Sequence, residues 1–241
     1  MSWNNIFDEL ARNKIEIERI FSERAGRYTT SGIFLPHMGN ALQSGGGIYY
    51  IGQATHGWPE PAEQSAQACQ AVTRAFLDSD SAMLDGGTLS TQWHTPFWRF
   101  LNLLCERILG ARMLDCRERW GWSNILKIGA SPDDPPKWGQ EMVNVQRASC
   151  IASLEYEFDQ LRNTCIYIAS SSNDFGVVRK VRENEKLRHD SPAHKALGLQ
   201  SYHGPNGNVI FYGPHPGWPP FDFDQTAEAV SSVFLASRSK P

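Results

Sequence analysis

Two histidine-bearing turns and one isolated amide interrupt otherwise apolar stretches of this chain. Ile48-Tyr49-Tyr50-Ile51 runs into Gly52-Gln53-Ala54-Thr55-His56-Gly57-Trp58, and Val209-Ile210-Phe211-Tyr212 runs into Gly213-Pro214-His215-Pro216-Gly217-Trp218. Between them, Trp122-Ser123-Asn124-Ile125-Leu126-Lys127 is apolar apart from a few polar side chains, Asn124 among them. Both turns leave a strand through a glycine and deliver polar groups at its carboxyl edge, where open α/β folds bind ligands. An amide offers a donor and an acceptor, and a neutral imidazole one of each. Three such segments converging on one edge make a hydrogen-bonding site more plausible than any one alone.

Other chemistries find less support. Cys69, Cys105, Cys116, Cys150 and Cys165 are scattered without a C-x-x-C pair, which argues for buried free thiols and against a structural zinc, an iron–sulfur cluster or a disulfide framework. No metal or organic cofactor is expected. The formal charge of −3 disfavours nonspecific coating of nucleic acid but leaves room for a local basic face. Arg179-Lys180-Val181-Arg182, followed by Lys186 and Arg188, is a candidate for phosphate contacts, although Glu183 and Glu185 interrupt it as they would on a solvated helix face.

The elements that must hold these groups follow from the patterning. Ile6, Leu10, Ile17 and Ile20 recur at helical spacing, so a first helix over about 4–22 is expected to pack on the core. Ile48–Ile51 reads as a buried parallel strand and Ala62–Leu77 as its crossover helix. Thr95-Pro96 is an N-cap followed by proline in the first turn, with an apolar stripe from Phe97 through Ile108 and a stop at Gly110. Trp122–Ile128 is a second strand, Ser131–Pro136 a loop, Met142–Leu161 a long helix and Cys165–Ala169 a third strand. A polar helix spans Val177–Leu187. Leu199–Tyr202 and Val209–Tyr212 flank a turn at Pro205–Asn208, and Thr226–Ser237 closes as a helix. At 241 residues and 41% apolar, the chain is expected to form one α/β domain over 1–241, a three-layer α/β/α sandwich with a mostly parallel central sheet. No window reaches the roughly 20 apolar residues of a membrane span, and Met1–Asp8 lacks the regions of a signal peptide, so a cytoplasmic location is expected.

With those segments in place, the chain resembles the uracil-DNA glycosylase superfamily over roughly Gly47–Trp218. The turn at Gly52-Gln53 resembles that family's first motif, His215-Pro216 the histidine and proline of its second, and Ser123-Asn124 the position of a base-reading asparagine after a strand. The resemblance implies a monofunctional enzyme that flips a pyrimidine nucleotide out of duplex DNA and hydrolyses the C1′–N bond. His215 would be the donor that stabilises charge on the departing base. Asn124 would read the base edge, backbone groups of Gly52, Ala54, Thr55 and His56 would line its other side, and Phe97 or Trp58 would stack on it. Both aromatics also fit as core residues, Phe97 more so because it lies on a helix stripe. Trp218 and Gly217 would form a minor-groove wedge or simply an anchored proline-rich loop, and Arg179 and Lys180 would meet DNA.

Two departures shape the expectation. Ala54 stands where the family places a carboxylate or amide to position water, leaving Gln53, His56, Glu60 and Asp85 as candidates; Asp85, in Leu84-Asp85-Gly86-Gly87, equally suits a turn. Thr55, His56 and Gly57 stand where many uracil-specific members carry a bulky aromatic, so the gate is open to a larger base. The chain is similar in this respect to the anti-phage branch, the bacteriophage replication inhibition DNA glycosylases, which implies a modified pyrimidine such as glucosylated hydroxymethylcytosine; Gln92, Trp93 and His94 would supply room for its sugar. The alternatives are a uracil-DNA repair glycosylase and a catalytically silent reader of modified DNA. A cysteine–histidine hydrolase is a third, without a cysteine at a strand-end turn. A monomer with DNA as its partner is expected.

Overall fold

A computed structural model describes residues 1–23, 30–56, 58–78, 84–85, 88–89, 95–130, 140–170, 175–184, 188–190 and 195–239; the side chains of 54–56, 84–85, 88–89, 130, 188–190 and 195 lie outside that description. The elements in chain order are α1 (Trp3–Glu23), β1 (Thr30–Ile33), β2 (His37–Met38), α2 (Asn40–Ser44), β3 (Ile48–His56), α3 (Ala66–Asp78), β4 (Leu84–Asp85), β5 (Thr88–Leu89), α4 (Pro96–Leu109), β6 (Trp120–Ala130), α5 (Gln140–Gln160), β7 (Cys165–Ala169), α6 (Val177–Asn184), β8 (Arg188–Asp190), β9 (Gln200–His203), β10 (Val209–Gly213) and α7 (Phe223–Arg238).

The main sheet runs β1-β6-β3-β7-β10-β9-β8, with β2 also pairing with β6. Its centre, β6-β3-β7-β10, is parallel, and β1, β2 and β9 pair antiparallel with their inner neighbours, as does β8 with β9. The sheet is therefore mixed, which corrects the expectation of a mostly parallel one. The reason is local. Residues 30–38 return along β6 without a crossover helix, and the turn at Pro205–Gly207 is too short for anything but a hairpin between β9 and β10. That hairpin and the joining of β10 to the central sheet agree with the patterning.

Helices cover both faces. α4, α7 and part of α3 pack on the face presenting Ile48, Tyr50, Trp120, Trp122, Tyr167 and Phe211. α5 and α6 cover the opposite face through Tyr49, Ile51, Ile125, Ile166 and Ile168. α1 buries Ile6, Phe7, Leu10 and Ile17 beside β1, α3 and α5. α4 begins at Pro96 behind Thr95, whose backbone is extended although its hydroxyl makes no cap bond, and stops at Gly110 with φ 69°, a conformation that glycine adopts without Cβ strain.

Connectivity identifies where a ligand belongs. From β3 the chain crosses by α3 and α4 to β6 on one side; from β6 it passes by α5 to β7 on the other side of β3, then onward to β10. The winding reverses between β3 and β7, and in open α/β sheets the crevice at the carboxyl ends of such a strand pair is the binding site. β7 also ends early: its last pairing with β3 is Ile168 with Ile51, whereas β3 stays paired with β6 through His56. The sheet thus steps down at the carboxyl end of β7.

Candidate functional site

Four residues form a square on the α4-facing side of the sheet beside this step. Tyr50 and Gly52 of β3 lie in register with Trp122 and Asn124 of β6. Gly52 is a glycine for a packing reason: a Cβ there would come within 2.5 Å of Asn124 Oδ1 and 3.1 Å of Phe97 Cε2. Close approach of this kind marks glycine inside a strand. Phe97, in the first turn of α4, leans over the square with its ring centroid 4.2 Å from that of Tyr50.

Three side-chain donors of the square lack partners among the described residues. Asn124 is 3% exposed, and its Nδ2 is enclosed without a hydrogen bond among the described residues; the same holds for Tyr50 Oη, Trp122 Nε1 and neighbouring Trp58 Nε1. An unsatisfied buried polar group costs about 1–3 kcal/mol. Native folds seldom leave such groups without a reason, and here three of them share one patch of sheet.

His215 reaches the same place from β10. Its ring lies 6.0 Å from Phe97 at an interplanar angle of 26°, and Trp218 lies 6.2 Å beyond. The Gly217 N–H donates to His215 Nδ1 at 3.1 Å. Nδ1 is therefore the acceptor nitrogen, and in the neutral ring the proton sits on Nε2. Burial holds the imidazole below its usual pKa, so the neutral tautomer with an Nε2–H donor prevails at pH 7. Gln53 lies on the step itself, where its Nε2 donates to Ser170 Oγ at 3.4 Å; Ser170 N in turn donates to Gly213 O at 2.9 Å. The amide contact joins the ends of β3 and β7, and the backbone contact joins β7 to β10.

Asn124, Gly52, Phe97, His215, Gln53, Gly217 and Trp218 thus gather at one edge, Trp218 being 43% exposed. Others do not. Trp58 is a core residue, 6% exposed, with rings of Phe34, Phe76 and Trp122 at 5.1, 5.4 and 5.5 Å. This corrects the expectation that it stacks on a base: a tryptophan just past a strand end gains more by completing an aromatic cluster. Residues Gly52 to His56 continue β3 in the ladder with β6, so they are not a turn, and on that side their backbone is taken up by sheet pairing. Glu60 is bound to Lys14 of α1 at 2.7 Å and to Gln64 at 3.1 Å. Asp85 ends β4, paired with Thr88 of β5 in a separate hairpin. Its side chain, those of Ala54, Thr55 and His56, and residues Gln92, Trp93 and His94 lie outside the described residues, as does the expected loop at Ser131–Pro136. Arg179 and Lys180 sit on α6.

Behind the square lies a buried polar network that the sequence reading does not anticipate. Lys127 and Glu157 are both 0% exposed and meet at 2.7 Å. Lys127 Nζ also donates to Ser123 Oγ at 2.6 Å and to the Asn124 carbonyl at 2.7 Å. Glu157 accepts from Ser153 Oγ at 2.8 Å and Tyr49 Oη at 2.9 Å; burial, then the adjacent carboxylate, raises the tyrosine pKa. Gln146 accepts from the Lys127 and Ile128 N–H groups and donates to the Ile128 carbonyl. The network fixes the backbone of β6 at and beyond Asn124. Its signal is present as Gln146, Ser149, Ser153 and Glu157, spaced three, four and four residues apart on an otherwise buried helix face.

Among the described residues, no group of three His, Cys, Asp or Glu side chains could hold a metal, and no helix is long and apolar enough to cross a membrane. No protein-family model, curated protein or solved structure matches the chain.

Proposed function

We propose that the protein is a DNA glycosylase that hydrolyses the N-glycosidic bond of a flipped, modified pyrimidine nucleotide. The observation that carries this reading is the enclosed Asn124 amide, whose Nδ2 lacks a partner among the described residues, over Gly52 and Phe97. A pyrimidine edge would supply both an acceptor for Nδ2 and a donor for Oδ1, and an aromatic floor would take its face. Stretching of the C1′–N bond sends the electron pair into the base, and the sugar becomes cationic. His215, neutral with its proton on Nε2, then donates to the base oxygen where negative charge grows. Water adds to C1′, and the proton it gives up passes through solvent to the departing base anion, which is released as the neutral base. Gln53, whose amide nitrogen is directed to Ser170, presents its carbonyl oxygen as the acceptor that orients this water.

The resemblance of the Gly52-Gln53 and His215-Pro216 segments to the uracil-DNA glycosylase superfamily supports the same reading, and its anti-phage branch supports an enlarged base such as glucosylated hydroxymethylcytosine. Purified protein is to be incubated with matched duplexes carrying uracil, hydroxymethylcytosine or its glucosylated form, and abasic sites scored by alkaline cleavage. Cleavage of the glucosylated duplex alone is expected, with His215→Ala lowering the rate by about 10²–10³. Cleavage of the uracil duplex would make the protein a repair enzyme. Binding without cleavage would make it a reader, and unaltered cleavage by His215→Ala would remove that residue from the mechanism.

A further inference from the structure

A second concavity opens between α5 and α6. It has a volume of about 580 Å³ and is lined by Gln140, Arg147, Phe175, Arg179, Lys180 and Glu183, among others. Among the described residues that line it, three are cations and one is a carboxylate. Arg147 is held in place from below: its Nε donates to the Phe175 carbonyl at 3.1 Å and its Nη2 to Asn144 Oδ1 at 2.7 Å. Both of these partners are neutral, so neither bond cancels its charge. Gly176, with φ 71°, lies under that guanidinium, where a Cβ would stand 3.6 Å from Nε. Lys180 is exposed, and its contact with Glu183, at 3.5 Å, is a loose surface pair of little energetic weight.

Position adds to charge. α5 follows the carboxyl end of β6 and α6 follows that of β7, so the groove opens at the same edge of the sheet as Asn124 and Gln53, on the opposite face from Phe97. We infer that this groove binds a backbone phosphate of the DNA whose nucleotide occupies the Asn124 site, an inference that rests on reading DNA as the substrate. A planar, oriented guanidinium suits a phosphodiester, and a site on the far face of the sheet would hold strand outside the flipped nucleotide.

The test is binding of an unmodified duplex, followed by fluorescence anisotropy across a potassium chloride series, for the wild type, Arg147→Gln, Arg179→Gln/Lys180→Gln and a control, Arg112→Gln, whose exposed side chain pairs with Asp115. Each lost phosphate contact lowers the slope of log K against log salt by about 0.9. The double variant is expected to lose one to two such steps, Arg147→Gln about one, and Arg112→Gln none. The double variant changes two exposed residues of α6, so it reports even if Arg147→Gln unfolds. Slopes unchanged from the wild type in both groove variants would overturn the groove while leaving the glycosylase reading intact. A wild type that binds no DNA would overturn both. If inorganic phosphate then raised the melting temperature of the wild type but not of the double variant, the groove would be a site for small phosphates, and the inferred DNA contact would still be refuted.

Discussion

Replacing Lys127 by methionine isolates the buried network behind Asn124. The substitution nearly conserves volume and removes three contacts of Nζ, to Glu157, Ser123 and the Asn124 carbonyl, each 2.6–2.7 Å long. Glu157 keeps the hydroxyls of Ser153 and Tyr49 and remains fully enclosed. Breaking one half of a buried pair costs about 3–5 kcal/mol, because the surviving charge is left uncompensated. Stability of small proteins is about 5–15 kcal/mol, so the variant should lose a large part of it. Removing both charges, as in Lys127→Met/Glu157→Leu, should recover most of that loss, short of about 1 kcal/mol for each hydroxyl left without its acceptor. Urea denaturation of the wild type, both single variants and the double variant gives the coupling energy directly. A loss below about 1 kcal/mol for Lys127→Met, or additivity of the two substitutions, would refute the view that the pair is desolvated and mutually dependent.

Further outcomes follow from the same geometry. A methyl group at Gly52 meets Asn124 Oδ1 at 2.5 Å, so Gly52→Ala should cost about 1–3 kcal/mol and weaken binding of the target duplex; unchanged binding by anisotropy would show that the square is not the base site. Burial lowers the pKa of both His37 and His215, so below about pH 6.5 the unfolded chain takes up protons that the fold resists. Stability should therefore fall as pH drops from 7 toward 5, and His37→Gln and His215→Gln should each flatten the melting-temperature profile; a flat wild-type profile would refute this. All five cysteines are free and buried, and desolvation pushes the thiols of Cys69 and Cys150 up to about 12. A thiol reagent should label the native protein slowly, Cys116 first because a hydrogen bond from Cys105 draws its pKa down, with all five reacting in denaturant. Rapid labelling accompanied by loss of base release would revive a cysteine-dependent hydrolase.

Elements with strong periodicity and clear punctuation are legible in the sequence. β7 occupies the span expected from Cys165-Ile166-Tyr167-Ile168-Ala169, and α4 runs from Pro96 to Leu109 between the signals at Thr95 and Gly110. The edges are not. β1 and β2 are short and only partly apolar, and they exist because β6 offers an unpaired edge, a tertiary cause that local propensity does not carry. Gly52 reads as a strand end because glycine punctuates; it is instead where Asn124 and Phe97 press against β3, a fact of cross-strand register. The candidate residues His215, Asn124 and Gln53 stand out in the sequence because polar groups at strand ends contrast with apolar runs. Lys127 and Glu157 are not, since each resembles an ordinary surface charge until sheet and helix bring them face to face. Trp58 misleads because an aromatic beside a glycine turn looks the same whether it faces a ligand or a core.

The early end of β7 sets a gauge. β10 ends level with β7, at Gly213 beside Ala169, while β3 runs on beside β6 to His56, so the ledge lies over the ends of β7 and β10 and is walled on one side by β3, with neighbouring strands about 4.8 Å apart. That step belongs to the sheet and cannot be altered without disturbing the parallel centre of the molecule. Depth and height belong to the segments that rise from the strand ends, such as the one bearing His215 and Trp218. Selection can then lengthen or replace those segments while the step is kept, so that change at the strand ends and conservation of stability draw on different parts of the chain.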